Sequence, residues 1–323
     1  MSDRRRGDSA GGGARAAGGA LVSAGTDVAT AAEFDRLRPY LLRIAYGHLG
    51  SLSEAEDVVQ EAWMRLSGAR REAIRDLRAW LTTVVSRLAV DALTSARARR
   101  EWYVGPWLPE PLVEADAGDR DPADRVDLEE SLSMALLVVL ESLSPAERSA
   151  FLLHDVFGYS FAEVAEIVGR TPAATRQLAT RARKAVEARR PRYPARADEQ
   201  RKVVAAFLTA TENGDLASLM ELLDPSVSFR SDGGGVVNAA RTVFTGSERV
   251  AGIFIAMARH FGERFHATPI LVNRAPGLWL VTGSSPNVVA FTLNGGRIVE
   301  IDIVRNPAKL RRDLAHRPDR RRR

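Results

Sequence analysis

Residues 143–186 read LSPAERSAFLLHDVFGYSFAEVAEIVGRTPAATRQLATRARKAV, and the punctuation of this stretch decides how the middle of the chain folds. Ser144-Pro145-Ala146-Glu147 is a capping box with proline at the first helical position, and Ser160-x-x-Glu163 is a second box. Gly169 supplies a helix stop, and Thr171-Pro172 opens the next helix at once. The spacing predicts helices over 145–156, 161–168 and 172–189, with only Gly169-Arg170-Thr171 between the last two. That is the length and residue chemistry of a helix-turn-helix. In the third helix Ala174, Leu178, Ala182 and Ala185 are expected to face inward, leaving Arg176, Gln177, Thr180, Arg183 and Lys184 outward. From Arg170 to Arg192 there are eight basic residues against Glu187, a net of +7. Basic and amide side chains at the start of an exposed helix suit base edges and phosphates of duplex DNA. A plain helical scaffold with a solvated basic face fits the same residues, so this stretch alone leaves both readings open.

The chain around it has 323 residues, more than one hydrophobic core usually organises, and predicts two or three domains. With 45% hydrophobic and 27% charged residues it has the balance of a globular protein and not of a disordered one. There is no cysteine, which excludes disulfides, thiolate metal sites and thiol nucleophiles. His48, His154, His260, His266 and His316 never adopt metal-ligand spacing, so no metal or other cofactor is expected. The longest apolar run, Met134–Leu140, is far short of the roughly 20 residues a membrane span needs. No membrane partner is expected, and Arg4, Arg5 and Arg6 lead into Gly and Ala without an apolar signal segment, so the expected location is cytoplasmic. The net charge of +5 is matched by the last segment, 311–323, where seven Arg stand against Asp313 and Asp319.

Composition divides the chain further. Residues 1–30, rich in Gly, Ala and Ser, are expected to be a flexible arm. Residues 31–101 carry helical periodicity: Phe34, Leu37, Leu41, Ile44 and Leu49, then Val58, Val59, Ala62, Trp63 and Leu66. Residues 102–130 are a proline-rich linker whose stretch from Glu110 to Glu130 has a net charge of −7. Helices resume at Leu132–Leu143 and fill a unit over 131–192, which Pro191 and Pro194 end. Residues 198–310 change character. Two helices, Arg201–Glu212 and Leu216–Leu223, precede strand-like runs at Val227–Ser231, Ile270–Arg274, Leu278–Thr282, Val288–Leu293 and Ile298–Val304. A helix at Ser247–Phe261, opened by a box Thr245-x-x-Glu248, intervenes, and Asn294-Gly295-Gly296 is a hairpin turn. The expected fold class is therefore multidomain, two all-α units plus a C-terminal α+β unit with a mostly antiparallel sheet, and 311–323 a basic tail.

The string at 143–186 resembles region 4 of bacterial sigma factors of the extracytoplasmic function group. EFDRLRPYLLRIAYGHLGSLSEAEDVVQEAWMRL at 33–66 and RDLRAWLTTVVSRLAVDALTSARARRE at 75–101 resemble their region 2. The resemblance implies a promoter-recognising subunit that binds core RNA polymerase, through the clamp of the largest subunit and the flap, together with promoter DNA. It implies no enzyme. On that reading Asp57, Gln60 and Glu61, free on the polar face of the helix at 57–66, are the clamp contacts. Arg70, Arg71 and Arg75 lie in the loop that captures an unpaired base of the −10 element, and Arg87, Asp91, Ser95, Arg97, Arg99 and Arg100 on its reading surface. Thr171, Arg176, Gln177, Thr180, Arg183 and Lys184 meet the −35 element. Trp80 fits an apolar helix face better than a base stack.

Residues 198–310 resemble a SnoaL-like domain, the cone-shaped α+β fold shared with ketosteroid isomerases. A subgroup of these sigma factors carries such an extension, with three further motifs. They stand here as Trp107-Leu108-Pro109-Glu110-Pro111, Asp232-Gly233-Gly234-Gly235 and Asn306-Pro307-Ala308-Lys309-Leu310. Val236 departs from the subgroup, which often has Lys there. The resemblance implies that the extension contacts the sigma core through these motifs and tunes it, with a small ligand in the cone as a further expectation. Asp232, His260 and His266 are the candidates for a catalytic base, but no acid or oxyanion donor accompanies them in sequence, and no catalysis is expected. A helix-turn-helix regulator with a ligand-sensing SnoaL-like domain is the alternative, though it leaves 33–101 unexplained.

Overall fold

The computed structural model describes residues 13–100, 102–115, 132–189, 193 and 195–310, with side chains from Val28 onward except those of 97–99. The first segment begins earlier than an arm over 1–30 would allow. Helix α1 spans Gly13–Leu49, and its alanine-rich start explains helix where its glycines argued against one. Helix α2, Leu52–Ser67, is capped by the Ser51 side chain and buries Ala55, Val58, Val59, Ala62 and Leu66. Helix α3 covers Leu77–Arg100.

After the linker come α4 (Met134–Leu140), α5 (Pro145–Phe151), α6 (Phe161–Val168) and α7 (Pro172–Arg189). Both capping boxes, at Ser144 and Ser160, form with their reciprocal bonds, and Gly169 ends α6 in the left-handed conformation at φ 66°. The helix expected over 145–156 is α-helical only to Phe151 and continues as a π-helical turn, Leu152–Val156. The inward stripe of α7 is also rotated by a residue from the expected one: Thr175, Ala179 and Ala182 are buried, while Ala174, Leu178 and Ala185 are half-buried.

The two helical units expected from sequence share one hydrophobic core. Leu41, Ile44, Leu81 and Val85 of the first unit belong to the same buried cluster as Leu140, Leu152, Val164 and Ala179 of the second. At their junction Arg148, 2% exposed, donates to the carbonyls of Leu140 and His48 and to Glu141 at 2.6 Å.

The C-terminal unit follows the expected order of helices, then sheet. Helices α8 (Ala197–Asn213), α9 (Leu216–Leu222) and α10 (Ser247–Phe261) pack on strands β2 (Leu223–Asp232), β3 (Phe244–Thr245), β4 (Phe265–Val272), β5 (Ala275–Thr282), β6 (Ser285–Asn294) and β7 (Arg297–Val304). A short β1, Val113–Ala115, comes from the linker and pairs with β4, which proline-rich composition concealed. The order is β1-β4-β5-β6-β7-β2-β3, antiparallel except for β2 beside β7. Two local expectations fail. Thr245 does not cap α10, because it is drawn into β3 and Gly246 takes the cap position. The run Ile270–Arg274 stops at Val272, and Asn273 and Arg274, both at positive φ, make a two-residue hairpin turn.

The sheet is buried on both faces. Under the helices, Phe207 meets Phe254 and Phe291 edge-on, and Phe229 meets Phe254. The outer face presents Ile270, Val272, Trp279, Val288 and Ala290 to Leu108 of the linker and to Met134 and Val138 of α4.

The buried His48 sets a pH dependence. Burial holds its imidazole down at a pKa of about 4, and the nearby Arg148 guanidinium adds to the drop. Nδ1–H donates to the Ile44 carbonyl, while Nε2 has no hydrogen-bond partner among the described residues. Because the unfolded chain restores an ordinary histidine, it takes up a proton first as pH falls. This contribution is full above roughly pH 6.5 and drains away toward pH 4, by up to about 3 kcal/mol. His48→Gln should therefore flatten the decline in urea stability across that window relative to the wild type, and equal slopes would contradict the assignment.

Candidate functional site

On α7, Thr171, Arg176, Gln177, Thr180 and Lys184 are exposed along one side of the helix. Arg176 stacks over Phe161 of α6 at 5.1 Å, which holds the guanidinium at the start of α7. Arg183 is half-buried and paired with Asp155 at 2.6 Å, so that side chain is partly committed within the protein. Thr171 also caps the helix, accepting from the Ala174 amide.

The residues assigned to the −10 element divide. Arg70, Arg75, Arg87, Asp91 and Ser95 are exposed, and Trp80 packs partly buried against the helical core. Arg71 instead ties its loop together, donating to Ile74 O at 2.9 Å and pairing with Glu33 at 3.2 Å. Arg87 donates to the Glu166 carbonyl at the end of α6, across the junction of the helical units. Arg100 is withdrawn from the surface: it pairs with Glu141 at 2.5 Å, donates to Leu49 O and lies 3.5 Å over the Trp107 ring. In this arrangement Arg100 is engaged in domain packing, because two acidic side chains, Glu54 and Glu141, converge there. The side chains of Arg97 and Arg99 lie outside the described residues, as do the acidic stretch 116–131 and the basic tail 311–323.

On α2, Asp57 and Gln60 are exposed, and Glu61 is half-buried with an ion pair to Arg65 at 3.0 Å. They form a polar patch opposite the buried face of the helix.

The three motifs of the linker and C-terminal unit converge on one point. The Asp232 carboxylate, 0% exposed, accepts from Tyr103 Oη at 2.5 Å, Leu108 N at 2.9 Å, Gly234 N at 3.0 Å and Lys309 Nζ at 2.7 Å. Lys309 also donates to the Leu108 carbonyl and sits 3.9 Å from the centre of the Trp107 ring, against which Arg100 also lies, so two cations meet one indole. Burial pulls the Lys309 ammonium below the ordinary lysine value, and Asp232 pulls it back. Gly234 is at φ 65°, and a Cβ there would come within 2.5 Å of the Asn306 amide; a Cβ on Gly233 would meet the Val237 carbonyl at 2.5 Å. Gly235, at φ 71°, lies against Val104. Asn306 donates to Tyr103 Oη and caps the 3-10 turn at Pro307–Lys309, while Leu310 is fully buried beside Leu108, and Pro109 is buried next to it.

Sequence reasoning missed three members of this junction. Tyr103 had no motif to mark it. Glu110 lies inside the Trp-Leu-Pro-Glu-Pro string; it is buried and accepts from the Leu52 amide at 2.8 Å at the start of α2. Asn273 bonds Leu112, Leu132 O and Tyr46 Oη from a turn that had read as strand.

The cone has a cavity of about 250 Å³ lined in part by Phe229, Phe244, Met257, Asn287 and Arg305. Asp232, His260 and His266 do not line it: Asp232 is in the junction, and both histidines are exposed.

Family models described as "Sigma-70 region 2" and "Sigma-70, region 4" match residues 34–99 and 133–186. The ECF RNA polymerase sigma factor SigJ of Mycobacterium tuberculosis is 41% identical over 289 residues, 86% of this chain and 92% of its own length. The chain belongs to the extracytoplasmic function sigma factors. A second relative of this sigma factor, the probable ECF RNA polymerase sigma factor SigI of the same organism, is 35% identical over 84% of this chain and 92% of its own. The crystal structure of M. tuberculosis SigJ superposes with a TM-score of 0.71 at 37% identity, covering 87% of this chain and 98% of that one. Both helical units and the mixed-sheet unit are thus shared with that sigma factor.

The junction of this sigma factor can be tested by its central carboxylate. Asp232→Ala leaves the Lys309 ammonium, Tyr103 Oη and the Leu108 amide buried without their acceptor, and should cost about 3–5 kcal/mol in urea unfolding. A loss below about 1 kcal/mol would show the network to be dispensable.

Proposed function

We propose that this sigma factor, when free of polymerase, is held closed by its C-terminal unit, and that docking on core polymerase through Asp57, Gln60 and Glu61 accompanies its opening. Directing polymerase to promoters is the function of its family; the closed state and the residue roles go beyond it. The observation that carries it is the junction at Asp232, which ties the linker, the Gly loop and the end of the fold into one buried network beside Arg100.

Geometry supports the need to open. Elements at −35 and −10 lie roughly 25 base pairs apart, on the order of 80 Å along B-DNA. The two promoter-reading units here share a core, with Tyr159 Oη between Tyr40 Oη at 2.6 Å and Thr82 Oγ1 at 2.9 Å. Units in that contact cannot reach both elements. On opening, Arg87 leaves the Glu166 carbonyl and Arg100 leaves Glu141, and both become available to promoter DNA together with Arg70, Arg75, Asp91 and Ser95. The region 4 unit approaches the flap, and α7 reads the −35 element through Thr171, Arg176, Gln177 and Thr180, with Arg183 and Lys184 nearer the backbone. A tethered domain acts at an effective concentration of order mM, so a modest closed-state preference suffices to regulate. The chain itself makes and breaks no covalent bond on this reading, and the cone cavity is space for a small ligand.

In transcription with core polymerase, Trp107→Ala should raise output by releasing the cation sandwich, whereas Asp57→Lys with Glu61→Lys should weaken core binding in a pull-down without unfolding the helix; unchanged transcription and unchanged binding would refute the respective roles. Arg176→Ala should weaken binding to a matched −35 duplex by ~5–150-fold and spare a scrambled one. Lys184→Ala should weaken both alike and lower the salt slope by about one. Equal loss on both duplexes for Arg176→Ala would move that residue to the backbone.

A further inference from the structure

A second and larger cavity, about 410 Å³, lies on the other side of the sheet, between its outer face and the helix-turn-helix unit. Its helical wall includes Leu136, Phe151 and Val186, and its sheet wall Val272, Ala290 and Leu293. This volume is within the range of small-molecule sites, which are apolar with few polar groups. Among the described lining residues, one cation stands at its rim. Arg189, the last residue of α7, lines the cavity, is exposed, and forms no hydrogen bond or ion pair among the described residues. Gln200, by contrast, is fixed: its amide donates to Pro276 O and Phe291 O and closes the floor.

We propose that this interdomain cavity binds an amphipathic carboxylate, its apolar body between α4 and β6 and its headgroup on Arg189. An apolar interior with one guanidinium at the mouth among the described residues selects such a molecule over a neutral hydrocarbon, which leaves Arg189 unused, and over a polyanion, which the apolar walls exclude.

The construction of the walls fixes the direction of its effect. About half of the described lining comes from the helical unit that carries α7 and the rest from the C-terminal unit, so the site exists only while the two are packed together. A ligand that binds one conformation alone shifts the population toward it. The carboxylate is therefore an inhibitor, and it acts without touching the recognition residues at the other end of α7. This regulatory clause rests on the closed-state reading above, while the binding clause does not.

Decanoate, below its micelle concentration, is a suitable probe, with decan-1-ol as the uncharged match and the full chain as the protein. Calorimetry should give saturable one-site binding of decanoate that weakens at least tenfold in Arg189→Gln, whereas decan-1-ol should bind wild type and Arg189→Gln alike. Ala290→Trp, which fills the sheet side, should abolish both; Leu136→Trp on the half-buried helical wall does the same should the first variant not fold. In transcription with core polymerase, decanoate should lower output of the wild type and spare Arg189→Gln. Absence of saturable binding, or an affinity untouched by Arg189→Gln and the tryptophan variants, overturns the site. Binding with the expected variant pattern but no effect on transcription upholds the site and overturns the closed-state reading instead.

Discussion

A carboxylate with no solvent exposure governs this molecule. Removing Asp232 from water costs several kcal/mol, and the cost is offset only when Tyr103, Leu108, Gly234 and Lys309 all reach it. Those donors come from the linker, a loop after β2, and the end of the fold, so the network is complete or costly with little between. Trp107 adds to the coupling, since Arg100 and Lys309 lie against the same indole and bring α3 and the last turn to one place. The glycines are part of the same constraint: side chains at Gly233 and Gly234 would overlap the backbone and the Asn306 amide that close the loop.

From that junction the state of the promoter-reading surfaces follows. Arg100 faces Glu141, which in turn holds Arg148, and Arg148 reaches the carbonyls of His48 and Leu140. A chain of cation–π contacts, ion pairs and hydrogen bonds thus runs from the C-terminal unit through Trp107, Arg100, Glu141 and Arg148 to the seam between the two helical units. On the closed-state reading proposed above, perturbing its outer end at Asp232 or Trp107 would change the seam without touching it. The polar residues of α2 and the first turns of α7 remain on the surface throughout, so the closed arrangement limits geometry and not the chemistry presented.

The cone illustrates how a fold is separated from the activities that share it. The acid that sequence offered as a base, Asp232, is spent on four hydrogen bonds, one of them from an ammonium, and the two histidines are exposed. What remains is volume: a cavity inside the cone and another where its outer sheet face meets the helices.

The amino-acid sequence by itself determined what is local. Capping boxes at Ser144 and Ser160, the stop at Gly169 and the hairpin at Asn294-Gly295-Gly296 depend on residues within a few positions of one another, and all four appear where they were read. Strand and helix identity was legible for the same reason, with the edges moved where tertiary pairing extended β2 or claimed Thr245. The motifs of the junction were legible as motifs. Only the tertiary structure decided what they do, because Asp232 and Tyr103 are separated by 129 positions and no periodicity links them. The same holds for β1, a strand made possible by the free edge of β4, and for Arg100, whose pairing with Glu141 no local sequence signal marks. Long-range burial sets the fate of a charge, and a sequence records the charge without its surroundings.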